Sequence, residues 1–141
     1  MSNSLIEAAG KFNFKLKIGC PKKYSPNKSI LKLAKKERVK LTITSKPFDA
    51  VAGADCVMTD KWISMNDKVN KASKKKILKP YQVNKKLMSN ANSDAIFMHC
   101  LPVGRGEEVT NEVIDGKQSV VWRQALNRVH AQKSIIKWCL D

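Results

Sequence analysis

At 141 residues the chain has the length of a single domain and enough material to bury a core. Its 43% hydrophobic content is that of a globular protein, and no run of eighteen apolar residues occurs, so no membrane-spanning helix is expected. The charge stands out: 27 Lys and Arg against 12 Asp and Glu give a net +15. Such an excess fits a nucleic-acid surface, steering of an anionic substrate, or lysines on solvated faces. The lysines are spread along the chain. Lys74-Lys75-Lys76 is the one tight cluster, and no aromatic residues interleave with it as a base-stacking platform requires. Solvated faces are the better reading. Cys20, Cys56, Cys100 and Cys139 are scattered without a Cys-x-x-Cys pair, so neither a metal site nor a disulfide framework is indicated. Free thiols in a reducing cytoplasm account for them, and no basic segment followed by an apolar run suggests a signal peptide.

In chain order, Leu5-Ile6-Glu7-Ala8-Ala9 predicts a first helix. Ser2 or Ser4 would cap it, with Glu7 in capping-box position, and it would end at Gly10 or near Asn13. Residues 14–18 alternate apolar with lysine and predict a strand. Residues 20–26 are a proline-punctuated loop. Residues 29–38 form an amphipathic pattern with Ile30, Leu31, Leu33 and Ala34 inward. Residues 39–44 alternate again. Residues 48–52 read as a short helical turn closed by Gly53, and residues 55–59 as a third strand. A basic helix over 68–79, a short helix from Pro80 through Met88, and a polar loop over 89–94 follow. The apolar run Ala95 to Met98 is a fourth strand, stopped by Pro102. Residues 107–114 predict a short helix, Asp115-Gly116 a turn, and residues 123–140 a last helix whose apolar residues need cover. Strands alternating with helices predict an α/β fold with a doubly wound, Rossmann-like parallel sheet.

Two strand ends carry chemistry. Asp60 follows the third strand and leads into Lys61-Trp62-Ile63-Ser64-Met65. A carboxylate there, with a serine after it, can hold an ammonium group; locally, an Asx turn fits equally well. His99 and Cys100 follow the fourth strand, on the edge where open α/β sheets bind ligands. Taken alone, they also read as a core histidine and a core thiol.

The run Phe97-Met98-His99-Cys100-Leu101-Pro102, then residues 105–116 and Asn127-Arg128-Val129-His130-Ala131-Gln132-Lys133, closely resembles the C-terminal part of the ornithine carbamoyltransferases. Asp60-x-Trp62-x-Ser64-Met65 resembles that family's ornithine-gripping loop. The resemblance implies transfer of a carbamoyl group from carbamoyl phosphate to the δ-amine of ornithine, giving citrulline and phosphate, with no metal, cofactor or covalent intermediate. It implies that Asp60 and Ser64 bind the α-amino end of ornithine and the Met65 backbone its carboxylate. Cys100 would lie beside the reacting amine with Asp60 nearby. His99 and Leu101 would bind the carbamoyl group, and Arg128 would reach carbamoyl phosphate. Departures are Asn66 where the family has glycine, Val103-Gly104 where it has Ala-His, and Leu126 where it has glutamate. The family's Ser-x-Arg-Thr-Arg phosphate loop has no counterpart in residues 1–141, nor has the strand that opens its ornithine domain. The expectation is therefore one partial ornithine-binding domain, lacking its first strand and the N-terminal carbamoyl-phosphate domain, from a family of homotrimers. The alternative is a non-catalytic remnant or a basic nucleic-acid-binding module. If the charge is solvated, titration with generic duplex DNA should give weak, sequence-independent binding that vanishes near physiological salt. A complex persisting at high salt would contradict this.

Overall fold

The computed structural model describes residues 1–63 and 70–141. The described helices and strands run α1 (Ser2–Phe12), β1 (Leu16–Gly19), α2 (Lys28–Lys36), β2 (Leu41–Thr44), α3 (Pro47–Val51), β3 (Cys56–Thr59), α4 (Lys71–Leu78), α5 (Lys85–Met88), β4 (Ile96–His99), α6 (Asn111–Ile114) and α7 (Val121–Leu140). This is the expected α/β alternation. No helix among the described residues is long and apolar enough to cross a membrane.

The strands form two parallel pairs. Leu16 to Gly19 of β1 lie opposite Leu41 to Thr44 of β2, and Cys56 to Thr59 of β3 opposite Ile96 to His99 of β4. No ladder joins β1 to β3. Instead both strands line the same two cavities, one bordered by α1 and the other by α3. The parallel sheet is thus divided by an open slot with an unpaired strand edge on each side.

Each pair has its own core. Around β3 and β4, Val57, Phe97, Val83, Leu87, Val109, Ile114 and Val121 pack together, with Phe97 fully buried. Around β1 and β2, Ile6 of α1 packs with Ile30 and Ala34 of α2. β4 is fixed on its far side too, since Phe97 N–H donates to Gln118 O (2.7 Å) and Val120 N–H to Phe97 O (3.0 Å).

Element boundaries follow local polar groups that hydrophobic pattern does not reveal. Helix α1 starts at Ser2, so neither serine caps it, and it ends at Asn13 in the left-handed conformation (φ 53°). That turn delays β1 to Leu16. Asn27, Asn70 and Asn84 cap α2, α4 and α5, each side chain accepting a backbone N–H three residues on. The helix expected over 107–114 covers only Asn111–Ile114. Residues 107–110 instead leave a turn, in which Glu107 N–H donates to Gly104 O (2.9 Å), and bridge to Val83: Val83 N–H donates to Glu108 O (2.9 Å) and Thr110 N–H to Val83 O (3.0 Å).

Helix α7 stands apart. Val121 at its start is buried, but Trp122, Leu126, Val129, Ile135, Ile136, Trp138 and Leu140 are 45–82% exposed. An uncovered apolar surface of this kind, together with two free strand edges, favours association. We expect residues 1–141 alone to self-associate or unfold with low cooperativity, as read by size-exclusion chromatography and thermal melting. A sharp, monomeric transition would contradict that expectation.

Candidate active site

The site begins with strand register. Thr59 and His99 are the last paired residues of β3 and β4. The next residue on each strand, Asp60 and Cys100, therefore leaves the sheet beside the other, at the carboxyl edge. The Cys100 thiol donates to Asp60 Oδ1 at 2.9 Å, and Lys61 N–H donates to the same oxygen at 2.7 Å. Asp60 also lines the α1-side cavity between β1 and β3, about 270 Å³ in volume.

This contact sets the state of the sulfur. Burial, then the hydrogen bond to Asp60, then the charge of that carboxylate push the Cys100 thiol up to about 11. The thiol is therefore neutral at physiological pH. Thiolate is the nucleophilic form, so Cys100 is a poor nucleophile here and acts as a hydrogen-bond donor to Asp60.

The other expected residues are placed unequally. The His99 imidazole is fully buried, with Nε2 3.3 Å from Oε1 of the equally buried Glu108, and the His99 backbone N–H donates to Gln124 Oε1 at 3.1 Å. Leu101 is exposed beside Cys100, and the Leu101–Pro102 peptide is cis. Arg128 is exposed on α7, four residues beyond Gln124 and hence on the same helix face. Ser64 and Met65 lie outside the described residues. The structure thus brings Asp60 and Cys100 together, keeps Leu101 next to them, sets His99 beneath, and leaves Arg128 on the helix that touches β4 through Gln124.

Two residues here were not singled out from sequence: Gln124 and Glu108. Gln124 is a polar residue near the start of a mostly exposed helix. Glu108 adjoins Glu107, which forms a surface ion pair with Lys75 (2.6 Å), and nothing in the residue pattern separates the two glutamates. The one available signal was that Glu108 falls within residues 105–116, the stretch that resembles the family.

Residues 1–139 match the family model described as the Asp/Orn-binding domain of aspartate/ornithine carbamoyltransferase. The chain belongs to this family. It is 56% identical over 137 residues to an ornithine carbamoyltransferase of Rhodopseudomonas palustris, covering 97% of this chain and 44% of that protein. Among solved structures, ornithine carbamoyltransferase from Pyrococcus furiosus matches with a TM-score of 0.88 at 40% identity, over 96% of this chain and 45% of its own. The anabolic enzyme from Campylobacter jejuni matches with a TM-score of 0.92 at 34% identity, over 98% and 47%. The chain therefore spans a little under half the length of these carbamoyltransferases. It also shares their Rossmann-like domain fold.

Replacing Asp60 by Asn removes the charge that holds the proton on Cys100 while leaving the burial. The thiol should then ionise at lower pH, between its ordinary value and the present value near 11. The pH dependence of Cys100 alkylation in Asp60→Asn should shift downward accordingly. An unchanged profile would show that burial alone sets the thiol.

Proposed function

We propose that this chain supplies the ornithine-binding part of a carbamoyltransferase that transfers the carbamoyl group of carbamoyl phosphate to the δ-amine of ornithine. In the reaction the amine nitrogen bonds to the carbonyl carbon and loses a proton. The bond from that carbon to the phosphate oxygen breaks, and citrulline and phosphate leave. No bond to the protein forms. The work left to the protein is to orient the two reactants and stabilise the developing charge.

The observation that carries this reading is the Cys100–Asp60 contact at the carboxyl edge. A carboxylate beside a neutral thiol suits a substrate carrying ammonium groups: the carboxylate attracts and orders the cationic end, while the un-ionised sulfur packs against the amine without attacking the carbonyl. In our reading Asp60 and Ser64 hold the α-amino group, Met65 the carboxylate, and Cys100 lies beside the reacting nitrogen. Leu101 and Cys100 contact the carbamoyl group, and Arg128 engages carbamoyl phosphate, for which a planar guanidinium fork is suited. His99 serves the same site from the core. The remaining phosphate contacts come from a carbamoyl-phosphate domain outside residues 1–141, in a homotrimeric enzyme.

Residues 1–141 alone should form no measurable citrulline, because several charge-assisted bonds to phosphate have no counterpart within them. Supplying a carbamoyl-phosphate domain should give turnover that Asp60→Ala and Cys100→Ala each reduce. Turnover by the purified chain alone, abolished by Cys100→Ala, would contradict the division of labour. Turnover indifferent to both substitutions would contradict the site.

A further inference from the structure

We propose that Glu108 is a positioning residue for the Asp60–Cys100 pair, acting from the core through His99 at one end of the turn and Gly104 at the other. The proposal builds on the reading of that pair as the reacting site.

A carboxylate buried this completely is costly unless it is paired. Its surroundings offer two groups. Gly104 N–H donates to Glu108 Oε1, and His99 Nε2 lies 3.3 Å from the same oxygen, near but not aligned as a hydrogen bond. These two groups bracket residues 100–103, the segment bearing Cys100, Leu101 and the cis Pro102. One carboxylate thus meets both ends of the turn, hydrogen-bonded to the backbone at Gly104 and lying against the imidazole at His99. It is itself anchored, because the Glu108 backbone pairs with Val83 and the adjoining Val109 is fully buried.

At Gly104 the carboxylate lies directly against the backbone. That backbone is not left-handed, so glycine is not needed there for conformation. What glycine provides is room: a Cβ at this position would stand 2.7 Å from Glu108 Oε2 and 3.1 Å from Oε1. The carboxylate occupies the space a side chain would take. Within the turn, the Cys100 thiol is held toward Asp60, and that contact depends on both ends staying in place. Glu107 makes the contrast: its ion pair with Lys75 is half exposed, the kind of contact that contributes little.

The test is peptide-resolved alkylation of all four cysteines with iodoacetamide across alkaline pH, read by mass spectrometry on the 141-residue chain. In Glu108→Ala, Cys100 should react about tenfold faster at mildly alkaline pH, as a fall of about one unit in its pKa gives. Cys20, Cys56 and Cys139 should be unchanged. Glu108→Gln keeps an acceptor oxygen for Gly104 and should retain most of the protection. Gly104→Ala displaces the carboxylate without deleting it and should expose Cys100 as Glu108→Ala does, which preserves the test if the buried truncation fails to fold. An unchanged Cys100 rate and pH profile in Glu108→Ala and Gly104→Ala would overturn the proposal. So would an equal rise at all four cysteines, the mark of general unfolding, or a Gln variant as reactive as the Ala variant. None of these readouts requires turnover, so a failed carbamoyl-transfer reading would show separately, in the activity of the Asp60 and Cys100 variants.

Discussion

The parallel register of β3 on β4 is the constraint on which the rest of this structure depends. Side chains alternate along a strand, so a slip of one residue would turn the inward set outward and separate Asp60 from Cys100. Val57 and Phe97, paired in the middle of the two strands and both buried, oppose such a slip. Residues 118–120 close the far edge of β4 and hold Phe97 from the other side. The core therefore selects the register, and the register selects which two residues meet at the carboxyl edge. The site is a consequence of packing three residues below it.

The same contact determines what the site can do. A lone cysteine at a strand end suggests a nucleophile. Here the neighbouring carboxylate and partial burial both favour the protonated thiol. Nucleophilic catalysis needs the opposite environment, with positive charge or a helix N-terminus beside the sulfur. Asp60 thus removes one chemistry and makes another available: a negative oxygen for a cationic substrate, with an uncharged, polarisable sulfur against it. The wider charge of +15 lies on scattered lysines and leaves this local negative group distinct.

Much of the architecture was legible in the sequence, because strand and helix periods are properties of the apolar residues themselves. Where those residues set the structure, as in β3, β4 and α2, the expected and observed elements agree to within a few residues. Where polar groups set it, sequence reading erred. Asn27, Asn70 and Asn84 act as caps only because helices follow them in the right geometry. Residues 107–110 carry a helix-compatible pattern, yet Val83, distant in sequence, takes the Glu108 carbonyl and the Thr110 N–H, and Gly104 takes the Glu107 N–H. At the site, Asp60 and Cys100 stood out by chemical type and by position at strand ends. Glu108 did not, since a glutamate between Glu107 and Val109 looks like a surface residue until the fold buries it.

Stability and function meet at the slot between β1 and β3. Its walls are two strand edges, Leu16–Gly19 and Cys56–Thr59, whose outward backbone donors and acceptors make no ladder among the described residues. Such edges attract pairing, and whatever pairs there gains hydrogen bonds along both walls. The α1-side cavity along these walls reaches Asp60 at its carboxyl end, with Met1 and Gly19 also lining it. Any group that fills the slot therefore ends beside the carboxylate that orders the thiol. The open strand edges are thus among the elements that surround Asp60.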